Sequence, residues 1–457
     1  MGKMKKVLAL LLTFVLTVSL GACGGSTKEE TTKDTAQTDA TTQAAAQEET
    51  TKTSENYEFK EPVTIKFANY AVLEAGYDKF WNDAKKGFEE KYPDITVEFM
   101  TAEYGQMLTQ VVTWVGGGEK VDLVLGEASW ISTLADAGIL MPVTEAFPAE
   151  YLSQIYPSMM DAMKVDGVPH GIPMYASPFI MLYNKALFEQ AGLDPENPPA
   201  TIDEMLEIAP KLAELKTADG NAVYPFGMTT ASVAVSGSCL TSLIYGFDGY
   251  TLTDDGELDI DNPGFKQTFE FLKEIDDKGY NPQVSKLKDL RNLFALGQLA
   301  MYYDQSWGFN GVRSINPDAI DFVASAAPLA GGQGTGESLI QAHTLMMGNN
   351  GEAQVEATKL FIQYLLTEDV LIPYLQNVAP GYPSMMALSE IPGITESPVL
   401  AGAIKSLDTA RSATNVPAIN DFNLELAALA QAVTVNDKDV DQAISDFKTA
   451  AEGILSN

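Results

Sequence analysis

The chain is 457 residues long, 46% hydrophobic, with 62 acidic residues against 29 basic ones and a net charge of −33. A surface so negative repels nucleic acid and anionic lipid headgroups, and two histidines in distant segments, His170 and His343, exclude histidine metal clusters. The chain is long enough to bury its own core, and a length of this order usually divides into more than one.

Lys3, Lys5 and Lys6 precede an uncharged, mostly apolar run from Val7 to Leu20 that ends in Leu20-Gly21-Ala22-Cys23. A basic cap, a short apolar stretch and small residues at its end make a secretory leader over residues 1–22. The run is shorter than the roughly 20 residues that span a bilayer. Placing Cys directly after Leu-Gly-Ala resembles the lipobox of bacterial lipoproteins, which implies acylation of the Cys23 sulfur. The alternative is a plain signal peptide with an incidental Cys23. Loss of the leader takes the charge from −33 to −36. Residues 23–61, rich in Thr, Lys, Glu, Gln, Asp and Ala, have almost nothing to bury and form a disordered tether. Cys239 is then without a partner and reads as a small buried apolar side chain.

The globular part opens with alternation at Val63, Ile65 and Phe67, a strand ending near Asn69-Tyr70. A helix with Phe80, Ala84 and Phe88 on one stripe follows and stops before Pro93. Ile95, Val97 and Phe99 give a second strand. Met107, Leu108, Val111, Val112 and Val115 give a second helix, ended by Gly116-Gly117-Gly118. Val121 to Leu125 is a continuously apolar strand of the buried parallel type, and a helix from Ser129 to Ala137 stops at Gly138. Strand alternating with helix is the α/β pattern. Further on come helices Ile202 to Leu215 and Pro263 to Asp277, the latter capped by Asn262. Gly297 closes a helix leading into the strand Leu299 to Tyr303. Helices from Glu352 to Leu366, Val399 to Ala410, Asp421 to Val433 and Asp439 to Leu455 complete a two-lobed α/β chain with a helical C-terminal region.

In open α/β sheets ligands bind beyond the carboxyl ends of the strands. Here those ends carry Asn69-Tyr70, then Glu127, Ser129 and Trp130, then Asp304 and Trp307. The segments Gly171 to Ser177, Leu339 to Met347 with Gln341 and His343, and Gly381-Tyr382-Pro383 are further candidates. An aromatic face beside amides, hydroxyls and a carboxylate suits a sugar, and equally other small polar molecules. Trp81 and Trp114 lie on helix patterns and read as packing, whereas Trp130 and Trp307 stand past strand ends and read as ligand contacts. Tyr175, Tyr302, Tyr303 and His343 stay open between core and site. Glu127 also reads as a helix-start acid favoured by the dipole.

No catalytic constellation emerges. The chain has no Gly-x-Ser-x-Gly elbow and no phosphate-binding glycine loop followed by Lys, and no cofactor is expected. Acidic pairs for glycoside cleavage are too numerous to exclude by counting. The acidic stretch around Asp254-Asp255-Gly256 misses helix-loop-helix calcium spacing and reads as a hairpin over Thr251 to Asp259 turning at Asp255-Gly256.

The ordered stretches FWNDAKKGFEEKYPDITVEF, VDLVLGEASWISTLADAGIL, DGVPHGIPMYASPFIMLYNKALFEQAGLD, FALGQLAMYYDQSWGF and TKLFIQYLLTEDV before GYPS carry a resemblance. From Val63 to its end the chain resembles extracellular solute-binding protein family 1, the maltose-binding-protein-like receptors of ABC importers. The resemblance implies a periplasmic-binding-protein-like fold, two α/β lobes joined by hinge strands around a ligand cleft. It implies crossings near Met174 and Ser177, near Pro328 and near Val378, hence an N-terminal lobe of residues 62–174 plus 328–377 and a C-terminal lobe of residues 175–327 plus 378–457. Carried over motif by motif, ligand contacts come from Asn69, Glu127, Ser129, Trp130, Tyr175, Ser177, Ser238, Asp304, Trp307, His343 and Tyr382, with Ser236 to Ser238 as a polar loop. Several acidic positions of the maltose-binding branch are Ala71, Ser129, Ser177 and Ser236 here, so disaccharide identity is not inherited. The implied protein is a monomer on the extracellular face of the bacterial membrane. It is held there by its lipid alone, and its partners are a carbohydrate and the transmembrane subunits of an ABC permease. A polyamine or peptide ligand, an anchored glycoside hydrolase and a partner for a membrane sensor kinase are the rivals.

Overall fold

The computed structural model describes residues 57–456 apart from 75, 254, 333, 408 and 415. The leader, Cys23 and the tether up to residue 56 lie outside the described residues. Phe59, which composition places in the tether, packs against the first apolar core.

The strand Val63–Ala68 buries Val63, Ile65 and Phe67 and pairs in parallel with both Ile95–Met100 and Leu123–Glu127. Parallel neighbours need a crossover, supplied by helices Asp78–Lys91 and Tyr104–Gly116. On the first helix Trp81, not Phe80, joins Ala84 and Phe88 in the buried stripe. Phe80 lies half-buried with its ring 4.2 Å from that of Tyr374. The third strand starts two residues later than its apolar pattern predicts. Buried Asp122 accepts hydrogen bonds from the Lys66 backbone N–H and the Asn350 side chain, both at 2.8 Å, so its carboxylate is spent at the strand's entrance. The helix expected from Ser129 begins as a tight turn, Ala128–Trp130, and continues as Ile131–Asp136.

The strand Ile172–Asn184 is buried at all thirteen positions, and it serves both halves of the molecule. Its first part pairs antiparallel with Ser338–Met347 as far as Pro178. From Phe179 it pairs with Leu299–Gln305 instead. Pro178 has no N–H to offer a ladder, and the partner changes there. Ser338–Met347 also reaches across, pairing with Leu123–Glu127 at one end and with Ala410–Ser412 at the other. In the second half Tyr224–Gly227 runs parallel to Leu299–Gln305.

Helices cover this second sheet, and their ends follow capping chemistry. Thr201 and Glu204 form a capping box on Ile202–Ala213. Asn262 accepts from the Phe265 N–H at 2.9 Å, and Asp439 accepts from Gln442 at 3.1 Å. Thr251 to Asp259 forms the hairpin read from its turn, with Leu252 bridged to Leu258 and Gly256 at φ +83°. The helix expected over Val399 to Ala410 is only Ala401–Ser406. The chain then joins Ser338–Ile340 as a parallel strand, fastened by an ion pair from Arg411 to Glu337.

The apolar interior divides accordingly. One cluster gathers residues from Val63 to Ala176 and from Ala342 to Leu400. A second gathers residues from Phe179 to Leu339 and from Ile419 to Ala451. A third, smaller one lies around Ile180, Leu290, Phe294 and Tyr302. Pro328 and Val378 do not mark a change of core: Leu329 and Leu339 still pack in the second cluster, while Ala379, Tyr382 and Leu388 pack in the first. Tyr302 and Tyr303 are fully buried, and Cys239 is a buried free thiol.

Candidate functional site

A cavity of about 940 Å³ opens between the two large cores, and strand ends and helix starts build its walls. On one side Tyr70 and Ala71 follow the first strand, Glu127 ends the third and Trp130 follows it, Tyr104 starts a helix, and His343 comes from a shared strand. On the other side Gln305 ends the strand Leu299–Gln305 and Trp307 follows it. Ser232 to Val235 stand at the head of helix Ala234–Gly246, Lys286 and Lys288 at the head of helix Leu287–Ala295, and Arg291 midway along it. Asn310 closes that side. The carboxyl ends of parallel strands thus face the cavity from both halves, where α/β proteins place ligands.

Rings run from one wall to the other. The Tyr70 ring lies 5.1 Å from Tyr104 and 6.1 Å from Trp130, and 6.3 Å from His343. His343 stacks on Tyr175 at 4.8 Å with 8° between planes, and Trp307 meets His343 edge-on at 4.7 Å. Burial pushes the His343 imidazole down to about 3, so it is uncharged at neutral pH and its ring nitrogens act only as one donor and one acceptor. Burial also lifts the Glu127 carboxyl, while hydrogen bonds from Tyr104 at 2.6 Å and Ser129 at 3.4 Å work the other way. The Tyr70 and Tyr104 phenols are raised well above their usual range by burial, so both keep a proton to donate.

Of the residues named from sequence, the structure brings Tyr70, Glu127, Trp130, Trp307 and His343 together on the cavity. Ser129 lines a small adjoining pocket of about 30 Å³ behind Glu127. The others sit behind the walls. Asn69 is fully buried, its Oδ1 accepting from the Ala71 N–H at 2.8 Å. Tyr175 is buried beneath His343 and Trp307. Ser177 donates to the Pro178 carbonyl and accepts from the Ser306 N–H. Ser236 pairs with Thr229, and Ser238 accepts from Asn423, within the helix packing of the second core. Tyr382 points its hydroxyl at Tyr156, 3.3 Å away. Asp304 has no exposure and binds Arg291 through Nε at 2.7 Å and Nη2 at 2.8 Å. Asn69 shows one reason: a polar residue beyond a strand end either turns outward or satisfies the backbone turn at that end, and polarity alone does not say which.

Sequence reasoning missed Tyr104, Arg291, Lys286, Lys288 and Asn310. Tyr104 heads a helix whose apolar stripe drew attention further along. Arg291 lies off the stripe of Leu287, Leu290 and Phe294 and reads as solvated. The signal for it was Asp304 itself, because a carboxylate in an otherwise apolar strand requires a cation.

The fold and cavity define a two-lobed α/β binding protein. The family model for bacterial extracellular solute-binding proteins matches residues 83–402, and the chain belongs to that family. A binding protein of Brucella abortus is 24% identical over 397 residues, covering 86% of this chain and 93% of that protein. The maltotriose-binding protein of Pyrococcus abyssi is 22% identical over 295 residues, 63% of this chain and 60% of that one. An ABC transporter solute-binding protein from Thermotoga lettingae, solved with α-D-tagatose, matches with a TM-score of 0.75 at 25% identity, over 87% of this chain and 100% of that one. Maltose-bound T. maritima MalE3 matches at 0.74 and 20% identity over 86% of this chain, a likeness of fold.

Proposed function

We propose that this chain is the capture subunit of an ABC importer, binding a sugar or short oligosaccharide in the cavity between its lobes. The observation that carries the reading is the cavity's lining. Trp130 and Trp307 both line the cavity, and Glu127, His343, Gln305 and Asn310 line it beside them as polar groups. Aromatic faces suit the C–H side of a pyranose, and the polar groups suit its hydroxyls. Relatives named for maltotriose and mannitol, and neighbours solved with tagatose and maltose, support the same ligand class.

Capture works by closure. The lobes follow the two cores, with Ile172–Asn184 and Ser338–Met347 as the strands that flex between them. A ligand held first by one wall gains contacts with the other only in the closed form, and that differential is what drives closure. The closed form is the one that the permease reads. Cys23 carries the lipid, and the tether lets the domain reach the transporter while staying at the membrane.

The rivals are weaker. A polyamine needs several free carboxylates, whereas the cavity offers Glu74 and Glu127 against Lys286, Lys288 and Arg291. A hydrolase needs a carboxyl pair astride the bond, and Glu127 already accepts from Tyr104 and Ser129.

The deciding experiment is calorimetry after a thermal-shift screen of the soluble domain against mono- and oligosaccharides, polyamines and peptides. A saccharide should raise the melting temperature in proportion to the logarithm of its concentration, and Trp307→Ala should weaken it by roughly tenfold, about 1.4 kcal/mol, with the fold intact. Unchanged affinity removes Trp307 from the site, and release of shortened product makes the chain an enzyme. Cys23→Ser should free the protein into the medium, and retention at the membrane would dismiss the lipid anchor.

A further inference from the structure

The cavity is electrically lopsided. Its second-lobe wall carries three cations, Lys286, Lys288 and Arg291, and no carboxylate, in a chain whose acids outnumber its bases 62 to 29. Both lining carboxylates, Glu74 and Glu127, stand on the opposite wall. Lys288, Arg291 and Asn292 are spaced i, i+3, i+4 on helix Leu287–Ala295 and so share one face, with Lys286 at the cap.

The three cations are not equivalent. Arg291 is committed to Asp304 behind it by a two-point contact, which fixes the direction of its guanidinium. Lys286 and Lys288 are exposed and make no ion pair among the described residues. Several other lysines on this half of the molecule are tied up, Lys266 with Asp441, Lys273 with Asp437, Lys438 with Asp446 and Lys448 with Asp261. What sets Lys286 and Lys288 apart is their place: their ammonium groups, without an ion-pair partner, stand on the cavity wall. The first turn of helix Ala234–Gly246 opens on the same wall without an acidic residue or a side-chain cap, adding to the positive potential there.

Building on the saccharide reading above, we infer that the ligand is a saccharide bearing an anionic substituent. Its carboxylate or phosphate docks on Lys286 and Lys288, while its neutral hydroxyls face Glu127 and His343. Charge-assisted hydrogen bonds to two ammonium groups anchor the anion. The opposed carboxylate wall rejects the reverse orientation by like-charge repulsion. The arrangement thus sets which end of the sugar enters which lobe.

The test uses matched pairs on the soluble domain by calorimetry: digalacturonate against its dimethyl ester, and glucose 6-phosphate against glucose. An acid that binds at least roughly tenfold tighter than its neutral counterpart is expected from charge-assisted contacts. In a Lys286→Ala/Lys288→Ala variant, whose exposed side chains leave the melting temperature in place, that difference should vanish. The two pairs separate a carboxylate from a phosphate as the preferred anion. Neutral members binding as tightly as the charged ones overturns the inference and leaves the saccharide reading standing. Stabilisation by spermidine or a peptide, with no response to any of the four sugars, overturns both.

Discussion

The Tyr70 hydroxyl lies 2.9 Å from Nδ1 of His343, and His343 is itself the cross-strand partner of Glu127. Three groups able to hold or lose a proton thus meet where the first strand, the third strand and a shared strand come together. With the imidazole pushed down to about 3 by burial and an ordinary value of 6.5, the unfolded chain takes up a proton below about 6.5 that the folded chain refuses until about 3. More protons on the unfolded state means stability falls as pH falls. His343 alone should cost about 1.4 kcal/mol per pH unit across that window. Glu127, raised by burial, acts in the opposite sense, its contribution being lost as pH rises above its ordinary value. Urea melts between pH 7 and 4 should show the His343 slope, and His343→Gln should flatten it. An unchanged slope in the variant would place the acid sensitivity elsewhere.

Much of this architecture can be read from the sequence because period and burial are tied to it. Val63, Ile65 and Phe67 alternate because one face of their strand is packed, and the capping residues Asn262 and Asp439 mark helix starts that the backbone requires. The site is less legible. Trp130 and Trp307 stand just past strand ends, Trp130 within the helix expected from Ser129 to Ala137, and both line the cavity. Asp304, inside the strand Leu299–Gln305, and Trp307, just past its end, are three residues apart, yet one turns inward to hold Arg291 and the other lines the cavity. That choice depends on Arg291, thirteen residues upstream of Asp304, and on Gly308, where an added Cβ would come within 2.1 Å of the Asp304 carboxylate. The exchange of cores along Ile172–Asn184 is equally hidden, since an unbroken apolar run looks the same whichever sheet it serves.

Arg291 and Asp304 should behave as one unit. Arg291→Ala leaves a fully buried carboxylate without its cation, and breaking such a pair from one side costs about 3–5 kcal/mol. Replacing Asp304 by Asn in the same background removes the stranded charge. The double variant Arg291→Ala/Asp304→Asn should therefore be more stable than Arg291→Ala alone. Denaturant midpoints of the three proteins decide it, and additive losses would mean that the two side chains act independently.

At Gly237 two helices of the second core touch closely. A Cβ there would come within 2.2 Å of the Asn423 carbonyl oxygen and 2.5 Å of its Cα, both backbone atoms of helix Ile419–Thr434 that cannot swing aside. Gly237→Ala should destabilise by about 1–3 kcal/mol through overpacking, against the gain that the same change gives in an unhindered helix. A thermal melt that moves upward would show that the two helices can separate without loss.

Tyr104→Phe probes Glu127 from the cavity side. The phenol donates to Oε1 of Glu127 at 2.6 Å, one of two hydrogen bonds that oppose the upward push of burial on this carboxyl. Removing it leaves the Ser129 contact at 3.4 Å, so the Glu127 carboxyl should titrate at a higher pH than in the parent protein. The ring stays, and with it the packing against Tyr70 and Trp130 at 5.1 and 5.9 Å, so the fold should be little changed. If Glu127 receives a ligand hydroxyl as a carboxylate, affinity in the variant should fall off at a higher pH as the solution is acidified, while the limiting affinity at high pH stays close to that of the parent. Calorimetric titrations from pH 8 to 5 measure both quantities. A uniform loss of affinity at every pH would instead mean that the Tyr104 hydroxyl itself touches the ligand.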